Sequence, residues 1–136
     1  MATGAKSDFL ENQVLDVYLR NGTLERGATV QAALYTASTG LEVNNPTSEV
    51  SGGSYARQNV SFGAPGAIGG AEAGTVKNSA EVTFPEATGA WGTVTHFAIL
   101  DTSANVLYYG ALDASRNVQS GDIFKFETDA IEIRER

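Results

Sequence analysis

The chain has no cysteine, which excludes disulfides, thiolate metal sites and cysteine nucleophiles; stability must come from packing or from partners. One histidine excludes histidine metal clusters. That residue, His96, sits between Thr95 and Phe97 in a strand-like run, and no nucleophile-elbow sequence accompanies it, so it reads as a structural or surface residue and not as the base of a triad. Lysine and arginine total 9 against 16 acidic residues, giving a net charge of −7 and an isoelectric point near 4.5. With the basic residues scattered, direct nucleic-acid binding is excluded. The acidity serves solubility or complements a basic protein surface, and composition leaves both open. No run approaches about 18 apolar residues, and the first residues lack the apolar centre of a signal peptide, so no membrane is expected and the chain reads as soluble and made in a cytoplasm. The triplets Asn21-Gly22-Thr23 and Asn59-Val60-Ser61 are then accidental as glycosylation sequons.

The carboxylates offer little chemistry. They lack the dense alternation of a calcium loop. The pairs Glu81 with Glu86, and Asp101 with Asp113, lie beside turns where acidic residues serve local hydrogen bonding. The glycine-rich stretch 63–74 lacks the Lys-Ser/Thr ending and the following helix of a phosphate cradle. No metal, no other cofactor and no enzymatic activity are expected.

What is present is architecture. Hydrophobic residues make up 42% of 136, with 15 glycines, which fits one ordered β-rich domain over residues 1–136. It divides into a flexible N-terminal arm (1–8) without core-forming pattern, a helix (9–20) and a β domain (28–136). Asp8 is placed to cap the helix and Glu11 to return a bond. Leu10, Val14, Val17 and Tyr18 share a face that packs on the chain's own sheet or on a neighbouring subunit. Asn21-Gly22 ends it, with glycine in the left-handed conformation.

Strands are predicted over residues 28–36, 55–62, 81–84, 93–100, 106–112, 117–126 and 130–133. The near-continuous apolar centre of 28–36 implies burial on both faces. Residues 101–105 form a hairpin turn, while 41–53 and 63–74 are loops. About seven strands at regular spacing imply an all-β fold: an antiparallel β-sandwich or flattened barrel with one short N-terminal helix. Trp91, in a turn between glycines, is a buried anchor or an exposed ligand platform, and Tyr108 and Tyr109 point to opposite faces.

The segments FLENQVLDVYLRNGT, VQAALYTA, GGSYARQNVSF, NSAEVTFPEATGAWGTVTHFAILD and LYYGALDASRNVQSGDIFKFETDAIEI together resemble a family of small tailed-bacteriophage structural proteins, labelled as tail fibre or head decoration proteins. The resemblance covers most of the chain, and the loop at 64–77 is extended relative to shorter members. It implies a non-enzymatic virion component with no catalytic residues to carry over. The expected role is a capsid decoration (cement) protein, a homotrimer on the outer surface of the major capsid protein shell, made in the host bacterial cytoplasm. The alternative is a tail fibre or tail-associated protein, with a receptor- or glycan-binding module as a variant. Candidate contact residues are Ala2, Thr3 and Lys6 in the arm, Asn44 and Asn45 in the first loop, Pro65 and Ile68 in the second, and Trp91. Truncation before Phe9 is expected to weaken attachment and leave the fold intact.

Overall fold

The structure is a computed structural model that describes residues 2–23, 27 and 29–135. Its elements are β1 (Ala2–Lys6), α1 (Asp8–Leu19), β2 (Val30–Tyr35), β3 (Gln58–Val60), β4 (Thr75–Lys77), β5 (Val82–Thr83), β6 (Gly92–Leu100), β7 (Val106–Val118), β8 (Lys125–Phe126) and β9 (Ile131–Arg134). Seven strands form one curled sheet, a half-barrel, in the order β3-β2-β6-β7-β1-β9-β4, and β5 and β8 form a small second sheet. The fold is all-β with one short helix, as composition and turn spacing imply. All pairs are antiparallel except β1 with β9.

Residues on β2 explain the two-sided burial. Ala32 and Leu34 enter one hydrophobic cluster, Ala33 and Tyr35 another, and all four have no exposed surface. Successive strand residues face opposite ways, so a strand covered on both sides must be apolar throughout. The small sheet covers the first face with aromatic rings. Phe84 meets Phe124 edge-on at 5.7 Å, and Phe124 meets Phe126 at 5.2 Å. Leu41, from the loop after β2, covers the second face with Leu100 and Val106. The expected hairpin joins β6 to β7: Asp101 Oδ1 accepts from the N–H groups of Ser103 (2.9 Å) and Asn105 (2.8 Å), satisfying a buried carboxylate with turn backbone.

The largest correction concerns the N-terminus. Residues 2–6 are not a flexible arm but strand β1, lying inside the sheet between β7 and β9 with Ala2 buried. No apolar pattern announces it, because close neighbours on both sides require small residues. A Cβ on Gly4 would lie 2.6 Å from Ile133 Cδ1. Backbone pairing supplies what side chains do not.

Ser7, not Asp8, caps α1; its Oγ accepts from Leu10 N–H at 3.2 Å and donates to the Val106 carbonyl, tying the helix start to the sheet. At the other end the left-handed residue is Asn21 (φ 58°), not Gly22, whose N–H closes on the Asp16 carbonyl at 2.8 Å. The strand expected at 117–126 divides instead. β7 runs on to Val118, then Gly121 (φ 93°) makes a turn bonded to Ala87, and only Lys125–Phe126 pairs again. β4 emerges at the end of the glycine-rich stretch, where Thr75, Val76 and Lys77 pair with β9. Ala28, the expected start of the first core strand, lies outside the described residues.

Candidate interaction surface

The eight residues singled out in the sequence are scattered across the molecule. Ala2 and Trp91 are buried. Trp91 is the anchor of the two alternatives: its Nε1 donates to the Gly53 carbonyl at 2.9 Å, and its ring meets Tyr55 edge-on at 5.4 Å. It presents no face to a ligand. Asn44 (φ 57°) is structural too, since its Oδ1 accepts from Val106 N–H (2.7 Å) and its Nδ2 donates to Asn105 Oδ1 (2.9 Å). Lys6 is paired with Glu135, beside which Tyr108 donates to the other carboxylate oxygen at 2.7 Å. Thr3, Asn45, Pro65 and Ile68 are exposed, with Ile68 wholly in solvent at the tip of the glycine-rich loop. No common site gathers them.

The motif residues behind the resemblance serve the fold. Arg57 forms a two-pronged contact with Glu49 (2.8 and 2.7 Å), and Tyr55 OH donates to Glu49 at 2.9 Å while accepting from Leu34 N–H at 3.0 Å. Such a fork resists deprotonation of the guanidinium, which is pushed above its ordinary value chiefly by the hydrogen bond to Glu49. His96 is half-buried and shares a 2.8 Å hydrogen bond with Thr95 Oγ1. Among the described residues no three His, Cys, Asp or Glu side chains gather as a metal-binding group. No described helix is long and apolar enough to cross a membrane.

Two surface features remain. A groove of about 250 Å³ runs between Ala2, Leu112, Phe124 and Phe126, with Arg116 and Lys125 at its rim. It owes its shape to β7. Between the pairs Val94↔Arg116 and His96↔Ala111 the register slips, leaving extra residues bulged on β7. Arg116 lies over the Phe124 ring at 5.0 Å from its centroid, a cation–π contact that closes part of the groove from within the chain.

The second feature is the helix. Leu10, Val14 and Val17 are half-buried against β7 and β1, as the shared face requires, but Tyr18 is 81% exposed, and so are Leu15 (53%) and Leu19 (76%). Tyr18 therefore leaves the face assigned to it. The i, i+4 pair Leu15 and Leu19 was the sequence signal for a second apolar stripe. Near the start of α1, Asp8 donates its N–H to the Glu42 carbonyl at 2.8 Å. The Tyr109 hydroxyl has its pKa raised, first by burial and then by the charges of Glu42, Asp8 and Glu11. The helix start is thus an acidic corner.

A family profile, described as podophage GP4 fiber I protein gp80, matches residues 5–134. The chain belongs to that family. It is a tailed-phage structural protein, and the sequence segments that carried the resemblance all lie within the matched span. No curated protein matches it. The family description names a fibre, and this moves the weight from the cement role expected above toward the fibre alternative.

Proposed function

We propose that this chain is a non-catalytic fibre-associated domain of a podophage virion, one that self-associates and docks other virion proteins at the base or tip of a fibre. The family match over residues 5–134 carries this reading. The fold supports it: the polar contacts of Arg57 with Glu49 and of Trp91 with Gly53 hold the domain together and leave no reactive group free at these motifs. A rigid half-barrel with exposed loops and an exposed helix face is suited to presenting protein surfaces. It is not a shaft, since it has no coiled-coil or collagen-like repeat.

That last observation keeps the second reading, a decoration protein bound as a trimer to the major capsid protein on the capsid surface. Gold labelling of intact virions with an antibody to this chain, followed by cryo-electron microscopy, tests both. Label at fibres or the tail supports the first reading; density over capsid junctions replaces it with the second; absence from virions overturns both.

A further inference from the structure

We infer that the outward face of α1 docks a basic, amphipathic segment of another virion protein. The proposal gives a partner chemistry to the docking domain described above and rests on that reading. Leu15, Tyr18 and Leu19 are 53, 81 and 76% exposed. At spacing i, i+3 and i+4 they form one patch, and contiguous large apolar side chains in solvent mark contact sites in a way that single ones do not. Glu11 lies one turn before Leu15 and Asp8 lies three residues before Glu11, so the same stripe becomes acidic toward the helix start, with Glu42 beside it. Val43, next to Glu42, is 63% exposed and extends apolar surface past the acidic corner. Arg20, the cation at the helix end, is turned to Asp16 at 3.1 Å.

A second copy fits this stripe poorly. Packed parallel, Asp8 and Glu11 would face their own counterparts. Packed antiparallel, they would be pressed onto Leu15, Tyr18 and Leu19, which desolvates carboxylates without a partner. A segment with leucine-like residues at helical spacing and Lys or Arg on its flanks meets both halves: Tyr18 and Leu19 take the apolar anchors, and the carboxylates take the cations.

The test uses the whole purified chain, labelled with ¹⁵N, and a helical Leu/Lys peptide of about five turns, with the same peptide carrying Glu for Lys as control. Amide shifts confined to α1 and residues 42–43 are expected, weakened by salt. Leu15→Ser/Tyr18→Ser and Glu11→Lys should each bind about tenfold more weakly, with the fold retained and melting lowered by only a few degrees, since these exposed side chains contribute through helix propensity and the helix dipole alone. The Glu peptide should not bind. Shifts elsewhere, no shifts, equal binding by the variants or equal binding of the Glu peptide overturns the inference. So does concentration-dependent self-association that Tyr18→Ser abolishes. Virion labelling is read separately, so a chain absent from virions removes the functional reading while the peptide result still judges the surface.

Discussion

Trp91 and Gly53, 38 residues apart in sequence, are joined by a 2.9 Å hydrogen bond from the indole Nε1 to the backbone carbonyl. Gly53 has φ 55°, and a Cβ there would lie 2.7 Å from the Gly89 carbonyl oxygen and 2.9 Å from the indole nitrogen. The loop and the aromatic core therefore define each other.

Replacing the ring separates packing from hydrogen bonding. Trp91→Ala is expected to cost about 3–5 kcal/mol through lost burial and the cavity left behind. Trp91→Phe keeps most of the packing and removes one of the two hydrogen bonds to the Gly53 carbonyl, which keeps the bond from Thr88 N–H (3.0 Å), for about 1 kcal/mol. Urea unfolding of the three proteins measures both; a Trp91→Ala change within about 0.5 kcal/mol would show the ring to be dispensable.

Asn78 is a buried polar hub. Its Oδ1 accepts from Ile131 N–H (2.8 Å), and its Nδ2 donates to the carbonyls of Ala80 (2.9 Å) and Glu127 (2.8 Å). Both ends of the amide are used, which fixes the start of β9. Asn78→Ala removes all three bonds; the Glu127 carbonyl keeps Ala130 N–H (3.1 Å), but Ile131 N–H and the Ala80 carbonyl lose this partner, and the change is expected to cost about 2 kcal/mol. Asn78→Asp, similar in shape but without the donors, should be comparably unstable at neutral pH. Calorimetric melting of both variants distinguishes lost hydrogen bonds from lost volume.

Deleting residues 1–6 is expected to unfold or severely loosen the domain, whereas the sequence pattern suggested that truncation before Phe9 would weaken attachment and leave the fold intact. β1 pairs with β7 on one side and β9 on the other, so its removal opens the sheet between them. The milder Gly4→Val places carbon against Ile133 and Tyr108 and should lower the melting temperature by several degrees, as roughly 1–3 kcal/mol does for overpacking. A truncated protein that melts like the intact one would refute the interior role of β1.

Acid should weaken the link between the two strands of the small sheet. The Glu81 carboxyl is held below its ordinary value, first by the hydrogen bond from Thr83 Oγ1 (3.0 Å), with Glu127 and Lys125 contributing. A depressed carboxyl adds stability above its unfolded value, about 4.3, and loses that contribution as pH falls through the lower folded value. The group is fully exposed, so the effect is small and screened by salt. The melting difference between the native chain and Glu81→Gln is expected to be positive near neutrality and to vanish at low pH; a difference independent of pH counts against the assignment.

Alkali should act in the opposite sense. Burial is the first cause raising the Tyr35, Tyr55 and Tyr108 hydroxyls above their ordinary value. Stability from groups raised in this way is complete below the unfolded value, about 10, and is lost as pH rises beyond it. Tyrosinate absorbance should therefore appear together with loss of near-ultraviolet dichroism, in one cooperative step, for these three residues.

Much of the fold was legible because its signals are local. The β-branched and aromatic run of residues 93–100, the Asp101 turn and the continuous apolar run of β2 each state their own environment. β1 was not legible: Ala2, Gly4 and Ala5 carry almost no hydrophobic signal, and their place depends on two neighbours more than a hundred residues away in sequence. Trp91 was readable only as a pair of alternatives, since burial of an aromatic ring in a turn depends on whether Gly53 and Tyr55 arrive beside it. The exposed stripe on α1 was hidden for a related reason. Periodicity shows that Leu10, Val14, Val17 and Tyr18 are near one another, but not how far round the helix the sheet reaches.

By itself the sequence determined the class of the protein: cysteine-free, acidic, rich in β-branched strands, with one helix and the segments of a phage structural family. These follow from residue type and short-range periodicity, which are properties of the chain before it folds. Only the tertiary structure decided that the N-terminus is an interior strand, that β1 and β9 run parallel, that Arg57 pairs with Glu49 and Trp91 lies in the core, and that Tyr18 faces solvent. Each of these depends on contacts between distant segments, and such contacts exist only once the sheet has closed around them.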